Sequence, residues 1–462
     1  MTISVLPDNV LLEIFDLCDH NYTYHNVWEW HLLVHVCQRW RQIVYSSPHR
    51  LNLKILCTPR TPVRKNLDIW PPFPIVIDYW RGVTPKCVDD VITALEHFDR
   101  VCDVSLSVTG SKLEKIITVM QEPFPVLKSL HIVSSNSQDG SVPVLPANFL
   151  GGSAPCLQEM YLFGIPFPAL PTLLSSTDLV ALELCKIPPI GYFSPEALVV
   201  GLAASPRLET FLLGFQFNTS HPRRIPPPPV TRTVLPALTY FHFRGGSEYL
   251  EDLVARIDGP QLRDIHINYF NQLVDFQVAP LAKFIDRRIG PKSKLRRTAR
   301  VTFSSGQVSF DEFHRQSYPS EPNLRHMTTI LCEGIDWQVS HMAQVLSQFS
   351  ATLSNVVHLE LNTYRYCPPE DTDVEWVHLL HQFSALQALN VSRDIAGHVA
   401  LALEGIAMVA EVLPSLGLIY LNGQPASTVE KFVAARRLSD RPVTVVDTRG
   451  EFDERIKSYV SE

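Results

Sequence analysis

The sequence predicts an α/β protein in which a short N-terminal helical unit precedes a long array of repeated strands. Three observations predict this architecture. The first fifty residues carry two apolar stripes at helical spacing. A Leu-x-x-Leu-x-Leu unit then recurs through most of the 462-residue chain. The stretches between these units are long enough for a helix or an irregular return, so each strand should come to lie parallel to the previous one.

The N-terminal helices are predicted from their first residues and their spacing. Pro7 suits a first helical turn, where its missing N–H loses no hydrogen bond, and Asp8 places negative charge at the positive end of the helix dipole. Apolar residues then repeat at three and four residues, and these are Val10, Leu11, Ile14, Phe15 and Cys18, followed in the next helix by Leu33, Val36, Trp40, Ile43 and Val44. Two such stripes cannot be enclosed by so short a unit, so apolar surface should remain for a partner or for the rest of the chain.

Residues 5 to 50 resemble an F-box in the Leu6-Pro7 start, the Ile14-Phe15 pair and the run from Val36 to Trp40. The resemblance implies a three-helix domain over 1–55 that binds the Skp-type linker protein and, through it, a cullin-RING ubiquitin ligase. The positions that match the contact positions of the family are Leu6, Pro7, Ile14, Phe15, Val36 and Trp40.

The repeated unit ends in alternating apolar and polar residues, the period of a short strand with one buried face. Successive units start 26, 30, 22, 29, 30, 24, 94, 30 and 30 residues apart. The gap of 94 residues leaves room for two degenerate units, expected around 295–303 and 324–331. The apolar positions of the clear units are Val101/Val104/Leu106, Leu127/Leu130/Ile132, Leu157/Met160/Leu162, Leu179/Leu182/Leu184, Leu208/Phe211/Leu213, Leu238/Phe241/Phe243, Leu262/Ile265/Ile267, Val356/Leu359/Leu361, Leu386/Leu389/Val391 and Leu416/Ile419/Leu421.

These units resemble the irregular leucine-rich repeats that follow many F-boxes and are abundant in mushroom-forming fungi. The resemblance implies an uneven solenoid of short parallel strands over 99–423. We expect 56–98 to be a connecting segment packed on this array, with a strand at 75–80, and 424–462 to be a C-terminal cap. Helices are predicted from apolar spacing at 195–205, 248–257, 339–353, 374–383, 399–413, 428–438 and 452–460, and a last strand is predicted at 443–447.

The outward side chains of such strands form one face, which is the usual recognition surface of repeat proteins. Each of these residues, taken alone, is more simply explained as a solvated strand residue. The candidates for contact with a target protein are Glu159, Tyr161, His242, Arg244, His266, Asn268, Glu360, Asn362 and Tyr420.

Composition argues against several function classes. A net charge of -7 and a pI near 6.2 offer no general attraction for nucleic acid. The N-terminus lacks a basic segment followed by an apolar run, and the most apolar later stretch, 398–413, contains two glutamates, so we expect no signal peptide and no membrane association. Nine cysteines without a C-x-x-C pair indicate buried thiols in a reducing compartment, which favours the cytoplasm or the nucleus.

Motifs of enzymatic chemistry are missing from the sequence: it contains no phosphate-binding glycine loop, no H-E-x-x-H and no G-x-S-x-G. We therefore expect a non-catalytic chain without a cofactor. His31 and His35 lie four residues apart, but no further ligands accompany them, so no metal site is predicted. The basic cluster between Arg287 and Arg300 and the run Pro226 to Pro229 are most simply surface loops.

The sequence thus favours a substrate-recognition adaptor of a ubiquitin ligase, with the linker on the N-terminal helices and a target protein on the repeats. Two alternatives stay open. The F-box-like helices could only cap the repeats of an interaction scaffold that belongs to no ligase. A hydrolase or transferase could also be assembled from residues distant in sequence, because sequence order does not reveal a spatial site.

Overall fold

A computed structural model describes residues 6–18, 29–48, 50–60, 63–84, 87–134, 142–167, 178–216, 232–270, 278–289, 297–313, 325–331, 337–349, 353–364, 373–407 and 413–447. The chain divides into two compact units, unit 1 (Met1–Leu208) and unit 2 (Glu209–Glu462). Each unit is a mixed α/β array built around parallel strands, as the repeats predict.

Unit 1 begins with three helices, α1 (Asp8–Cys18), α2 (Glu29–Val36) and α3 (Gln38–Ser46). The break between α2 and α3 falls at Cys37, whose thiol accepts a hydrogen bond from the backbone N–H of Trp40. The Arg39 guanidinium donates to the Asp8 carboxylate and to the Leu6 carbonyl oxygen, each at 2.6 Å. These contacts fix the beginning of α1 against α3.

The helix α2 is also attached to the residues that follow the three helices. The Trp30 ring lies edge-on to Trp70 and Phe73, with centroids 5.2 and 5.6 Å away, and its N–H donates to the Lys54 carbonyl oxygen at 3.1 Å. Because Trp30 is only 8% exposed, one face of α2 is packed against the rest of the chain.

Six parallel strands follow one another across the sheet of unit 1 in chain order. They are β1 (Ile55–Cys57), β2 (Ile75–Tyr79), β3 (Val101–Val108), β4 (Ser129–Ser134), β5 (Glu159–Phe163) and β6 (Ala181–Ile187). The helices of this part are α4 (Val63–Ile69), α5 (Val88–Leu95), α6 (Gly110–Val119) and α7 (Pro195–Leu202), with 3₁₀ turns at Phe149–Gly152 and Pro189–Gly191. The predicted strand at 75–80 is therefore present as β2, and the parallel sheet already begins at β1.

The described residues of unit 2 form ten strands in one sheet, in the spatial order β7-β9-β11-β14-β13-β12-β15-β16-β17-β18. Their bounds are β7 (Thr210–Phe215), β9 (Tyr240–Gly245), β11 (Asp264–Tyr269), β12 (Arg297–Ser304), β13 (Gln307–Phe313), β14 (Arg325–Leu331), β15 (Val356–Tyr364), β16 (Ala388–Val391), β17 (Leu418–Leu421) and β18 (Thr444–Asp447). A separate parallel pair joins β8 (Thr233–Val234) to β10 (Ile257–Asp258). The helices are α8 (Ser247–Arg256), α9 (Ala279–Ile289), α10 (Gln338–Ser347), α11 (Asp373–His381), α12 (Ala396–Ala407) and α13 (Glu430–Leu438).

The two degenerate units are present as β12 and β14, but the prediction that all strands are parallel is wrong at β13, the additional strand between them. β12 and β13 form a hairpin in which Ser304 pairs with Gln307, and a connection of two residues can only join antiparallel strands. β13 also pairs antiparallel with β14. β14 and β12 still lie parallel to β11 and β15, so the hairpin inserts one reversed strand into an otherwise parallel sheet.

The buried side of the strands confirms the repeat pattern. Every apolar position of the ten clear units is buried, with at most 3% of its surface exposed. Neighbouring units place these residues in register, as where Phe211 pairs with Phe241 and their rings stack at 5.6 Å. Burial of apolar surface at about 25 cal/mol per Å² makes this continuous stack the main source of stability.

The residues predicted to form the C-terminal cap contain a turn, a helix and a strand. A 3₁₀ turn (Ala426–Val429) leads into α13, and β18 adds to the sheet beside β17. Arg436 on α13 is 5% exposed and donates to the carbonyl oxygens of Leu413 and Leu416, at 2.9 and 3.3 Å. The predicted helix at 452–460 lies outside the described residues.

In unit 2, the carboxyl group of Glu251 makes a contribution to stability that depends on pH. Glu251 on α8 accepts a hydrogen bond from the backbone N–H of Leu281 at the start of α9. Burial raises the pKa of Glu251 to about 8, although the bond from Leu281 acts in the opposite direction. The side chain is therefore mainly protonated at neutral pH.

We predict that Glu251→Gln removes a pH-dependent part of the stability. An acid whose folded pKa is raised stabilises the fold below its unfolded pKa, near 4.3, and loses this contribution as pH rises to about 8. The melting temperature of the variant, relative to the native chain, should therefore rise between pH 5.5 and 8.5. Thermal denaturation across this range measures the difference, and a difference that stays constant with pH would contradict the assignment.

Candidate functional surfaces

The N-terminal helices expose apolar side chains on two of their faces. On α1, Val10 and Leu17 are 36% and 74% exposed, and seven residues separate them, so they lie on one side of the helix. On α2, Leu32 and Val36 are 69% and 59% exposed and lie four residues apart. We call these four residues the N-terminal apolar surface. Large apolar side chains exposed together are typical of sites that contact another protein.

The residues predicted to bind the linker are divided between this surface and the interior. Val36 and Pro7 are exposed, whereas Leu6, Ile14 and Trp40 are half-buried. Phe15 is only 2% exposed, and its ring packs against Trp40 with centroids 4.7 Å apart. Phe15 is thus a core residue of the helical unit in this structure, and its effect on a partner would pass through the position of Trp40.

Leu17 and Leu32 were not among the predicted linker residues. The sequence does carry a signal for them, because Leu17 lies three residues after Ile14 and Leu32 lies four residues before Val36. The positions of the F-box motif do not include Leu17 and Leu32, so the motif by itself does not indicate them.

The outward side chains of β2 to β6 form a second candidate surface, the unit 1 face. Strand pairing aligns Asp78, Ser105, His131, Tyr161 and Glu183 in one row across five strands. The neighbouring row contains Asp103, Ser129 and Glu159. Four carboxylates therefore lie around one histidine on adjacent strands.

Burial and mutual repulsion raise the pKa values of two of these carboxyl groups. The pKa of Asp103 is raised to about 6, mainly by burial, while His131 and Lys54 lower it and Glu159 and Asp78 raise it. Burial also raises the pKa of Glu183, with opposite contributions from His131 and Glu159. The His131 Nε2 atom lies 3.7 Å from a Glu159 carboxylate oxygen, so His131 is the nearest positively charged partner of Glu159 when protonated.

Aromatic rings border these carboxylates. The Tyr161 ring lies 5.8 Å from His131, 6.2 Å from Trp80 and 6.5 Å from Phe163 by centroid distance. Burial raises the pKa of Tyr161 to about 12 and that of Cys185, its hydrogen-bond partner, to about 11. Both groups are therefore neutral at physiological pH and supply a flat, weakly polar surface.

The corresponding outward side chains of unit 2 form a third surface, the unit 2 face. Its central row runs from β9 to β17 in register and contains His242, His266, Met327, Asp311, Arg300, Glu360, Asn390 and Tyr420. Two of its acidic groups are paired with arginines, since Arg300 donates to Glu360 at 2.7 Å and Arg325 donates to Asp311 at 3.0 Å. Asn390 and Asn422 also share a hydrogen bond at 2.9 Å.

The two histidines of the unit 2 face are uncharged at neutral pH. Burial, His266 and Arg244 together lower the pKa of His242 to about 4. Burial, followed by Arg325, lowers the pKa of His266. The Asn268 side-chain nitrogen lies 3.0 Å from Nε2 of His242. This end of the row therefore offers neutral hydrogen-bonding groups.

The structure places all nine predicted target-binding residues on the outward side of strands. Glu159 and Tyr161 lie on the unit 1 face, and the other seven lie on the unit 2 face. The neighbours that sequence reasoning missed are Asp103, His131, Glu183, Arg300, Asp311 and Arg325. Asp103, His131 and Glu183 occupy the same positions within their repeats as Glu159 and Tyr161 do. Alignment of the repeats could therefore have indicated these three residues.

The described parts of the chain show neither a metal centre nor a membrane-crossing helix. They contain no group of three or more His, Cys, Asp or Glu arranged to hold a metal ion. Within the same ranges, no helix combines the length and the apolar character that crossing a bilayer requires. His35 is exposed, and the side chain of His31 lies outside the described residues, as does the run Pro226 to Pro229.

No family model matches the chain, and no curated protein matches it. Among solved structures it is similar to the leucine-rich repeat-containing protein LegL7 from Legionella pneumophila, at 13% identity and a TM-score of 0.28. That similarity covers 88% of this chain and 95% of the other.

We predict that the contributions of Glu159 and His131 to the pKa of Asp103 can be measured separately. Glu159→Gln should lower the pKa of Asp103, and His131→Ala should raise it, because the two groups act on the carboxylate with opposite sign. Each change should be less than about one pKa unit, since burial is the main cause of the shift. Carboxyl-detected NMR titration measures both values, and shifts of the same sign in the two variants would refute this arrangement.

Proposed function

We propose that this protein is the substrate-recognition adaptor of a Skp-cullin-F-box ubiquitin ligase. The N-terminal helices bind a Skp-type linker, which connects the chain to a cullin-RING ligase, and the strand faces hold a target protein. The chain itself performs no chemistry and needs no cofactor. Its contribution is proximity, because holding the target raises the effective concentration of its lysines near the transfer centre.

The observation that carries this proposal is the N-terminal apolar surface within a segment that resembles an F-box. Leu32 and Val36 expose most of their side chains even though α2 is fixed to the chain through Trp30. Val36 is also one of the positions at which the F-box resemblance implies contact with the linker. Burying a side chain of this size contributes about 1.5–3 kcal/mol, so the pair is large enough to anchor a partner.

The strand faces support the second half of the proposal. Both faces consist of half-buried polar and aromatic side chains held in register on rigid strands. Such preorganised side chains lose little conformational freedom on binding, which favours specific recognition of a protein surface. We propose the cytoplasm or the nucleus as the location, because ubiquitin ligases of this class and their targets meet there.

We predict that Leu32→Glu with Val36→Glu abolishes binding to a Skp-type linker. Glutamate keeps the helix propensity of α2, whereas its charge cannot be buried in an apolar interface without a partner. The affinity of the double variant should be at least about 100-fold lower than that of the native chain. Co-purification and calorimetric titration with a recombinant Skp-type linker measure this loss.

The matched control is Leu401→Glu with Leu438→Glu, two exposed leucines on α12 and α13 at 52% and 90% exposure. It adds the same charge and should bind the linker as tightly as the native chain. Equal binding by both double variants, or no binding by the native chain, would overturn the adaptor proposal.

A second candidate is an interaction scaffold outside any ligase, in which the N-terminal helices only cap the repeats. The packing of Trp30 on Trp70 and Phe73 favours it, since this contact serves the chain itself. The burial of Phe15 against Trp40 is also explained by a cap. The scaffold predicts that the linker does not bind, so the same titration separates the two candidates.

A further inference from the structure

We propose that the unit 1 face binds a lysine- or arginine-rich segment of a partner protein. This inference deepens the proposed function, because it specifies the chemistry of the target. It rests on the proposed function only where the partner is taken to be the target of the ligase. It is carried by the charges, the aromatic rings and the spacing of the strands β2 to β6.

The charge of the unit 1 face is unbalanced. Its rows present Asp78, Asp103, Glu159 and Glu183, and His131 is the basic residue at their centre. Within the described ranges, no lysine or arginine forms a salt bridge with any of these four carboxylates. Lys54 acts on Asp103 electrostatically and Lys186 lies over the Phe163 ring, but these two lysines leave an excess of negative charge beside four carboxylates.

On the unit 2 face, two outward carboxylates are neutralised by arginines of the protein itself. There the outward carboxylates Asp311 and Glu360 are bonded to Arg325 and Arg300. The same strand positions in unit 1 carry serine, tyrosine and histidine instead of arginine. The missing positive charge is what a basic segment of another protein would supply.

A cation would also relieve an existing cost at Asp103. This carboxylate is half-buried between strands, and its desolvation disfavours the charged form. A bound ammonium or guanidinium group would stabilise that form directly, because an opposite charge within hydrogen-bond distance offsets desolvation. The free energy of this relief adds to the affinity for the cation.

The aromatic rings select a cation with an apolar stem. Aromatic faces attract ammonium and guanidinium groups and also pack against the methylene groups of lysine and arginine. The protein uses this interaction internally, since the Lys186 ammonium lies 4.9 Å from the centroid of the Phe163 ring. Because Lys186 already covers the Phe163 ring, Tyr161 and Trp80 form one side of the site, and the carboxylates form the other.

The spacing of the carboxylates sets the spacing of the cations. Asp103 on β3 and Glu159 on β5 are two strands apart, and neighbouring strands lie about 4.8 Å apart, so about 10 Å separates the two positions. A segment in the polyproline II conformation rises about 3.1 Å per residue with three residues per turn, so basic residues three positions apart lie on one side and about 9 Å apart. The face therefore favours an extended segment with a basic residue at every third position.

The test uses the full chain and two fluorescein-labelled peptides. One peptide has the sequence Gly-Lys-Ser-Gly-Lys-Ser-Gly-Lys-Ser-Gly, and the other has Glu in place of each Lys. Fluorescence anisotropy should show that the lysine peptide binds, that its affinity falls with added salt, and that the glutamate peptide does not bind. Asp103→Asn with Glu183→Gln should weaken binding of the lysine peptide by about tenfold, since each lost ion pair contributes up to about 1 kcal/mol.

The matched control is Glu114→Gln with Glu122→Gln, which removes two exposed charges from the same unit away from the strand face. It should bind the lysine peptide like the native chain, and far-ultraviolet circular dichroism confirms that each variant is folded. The proposal is overturned if the native chain does not bind the lysine peptide, if the glutamate peptide binds equally, or if both double variants lose the same affinity.

This measurement is independent of the linker. The Leu32→Glu, Val36→Glu variant should bind the lysine peptide normally, and the Asp103→Asn, Glu183→Gln variant should still bind the linker. A failure of the adaptor proposal would therefore appear in the linker titration alone, whereas a failure of the present inference would appear in the peptide titration alone.

Discussion

The alternation of buried and outward residues along each strand is the constraint on which the rest of the structure depends. Parallel strands pair in register, so the apolar residue of one unit stacks on that of the next, as Leu130 does between Val104 and Met160. A shift of one residue would exchange the two sides and place charged groups in the core. The same register that builds the core therefore also aligns His131, Tyr161 and Glu183 on the outer side.

The three candidate surfaces differ in the kind of side chain that they leave available for a partner. The N-terminal helices leave apolar side chains exposed at Leu32 and Val36. The unit 1 face leaves carboxylates without salt bridges to arginine or lysine among the described residues, whereas the unit 2 face pairs Glu360 with Arg300 and Asp311 with Arg325. These differences suit partners of different kinds, which is the arrangement that an adaptor between a linker and a target requires.

Much of the fold could be predicted from the sequence, because spacing reports burial directly. The strands and the helices near 195–205, 248–257, 339–353 and 374–383 are present, with ends shifted by a few residues, and the helix near 399–413 is present as far as the described residues reach, at Ala407. The β12–β13 hairpin was missed, since its apolar alternation is the same in parallel and antiparallel strands and only the short connection after Ser304 distinguishes them. Phe15 is buried by Trp40, and Asp103 lies beside Ser129 on the next strand instead of an arginine. Both facts depend on neighbours distant in sequence, which a local pattern does not identify.

We propose that the N-terminal apolar surface binds a Skp-type linker while the strand faces stay open for a target. Hydrogen–deuterium exchange of the full chain, with and without the linker, measures which segments the linker covers. We expect the linker to slow exchange in α1 and α2 and to leave β3 to β6 and β9 to β17 unchanged. Slower exchange in the strands, or no change in either helix, would contradict it.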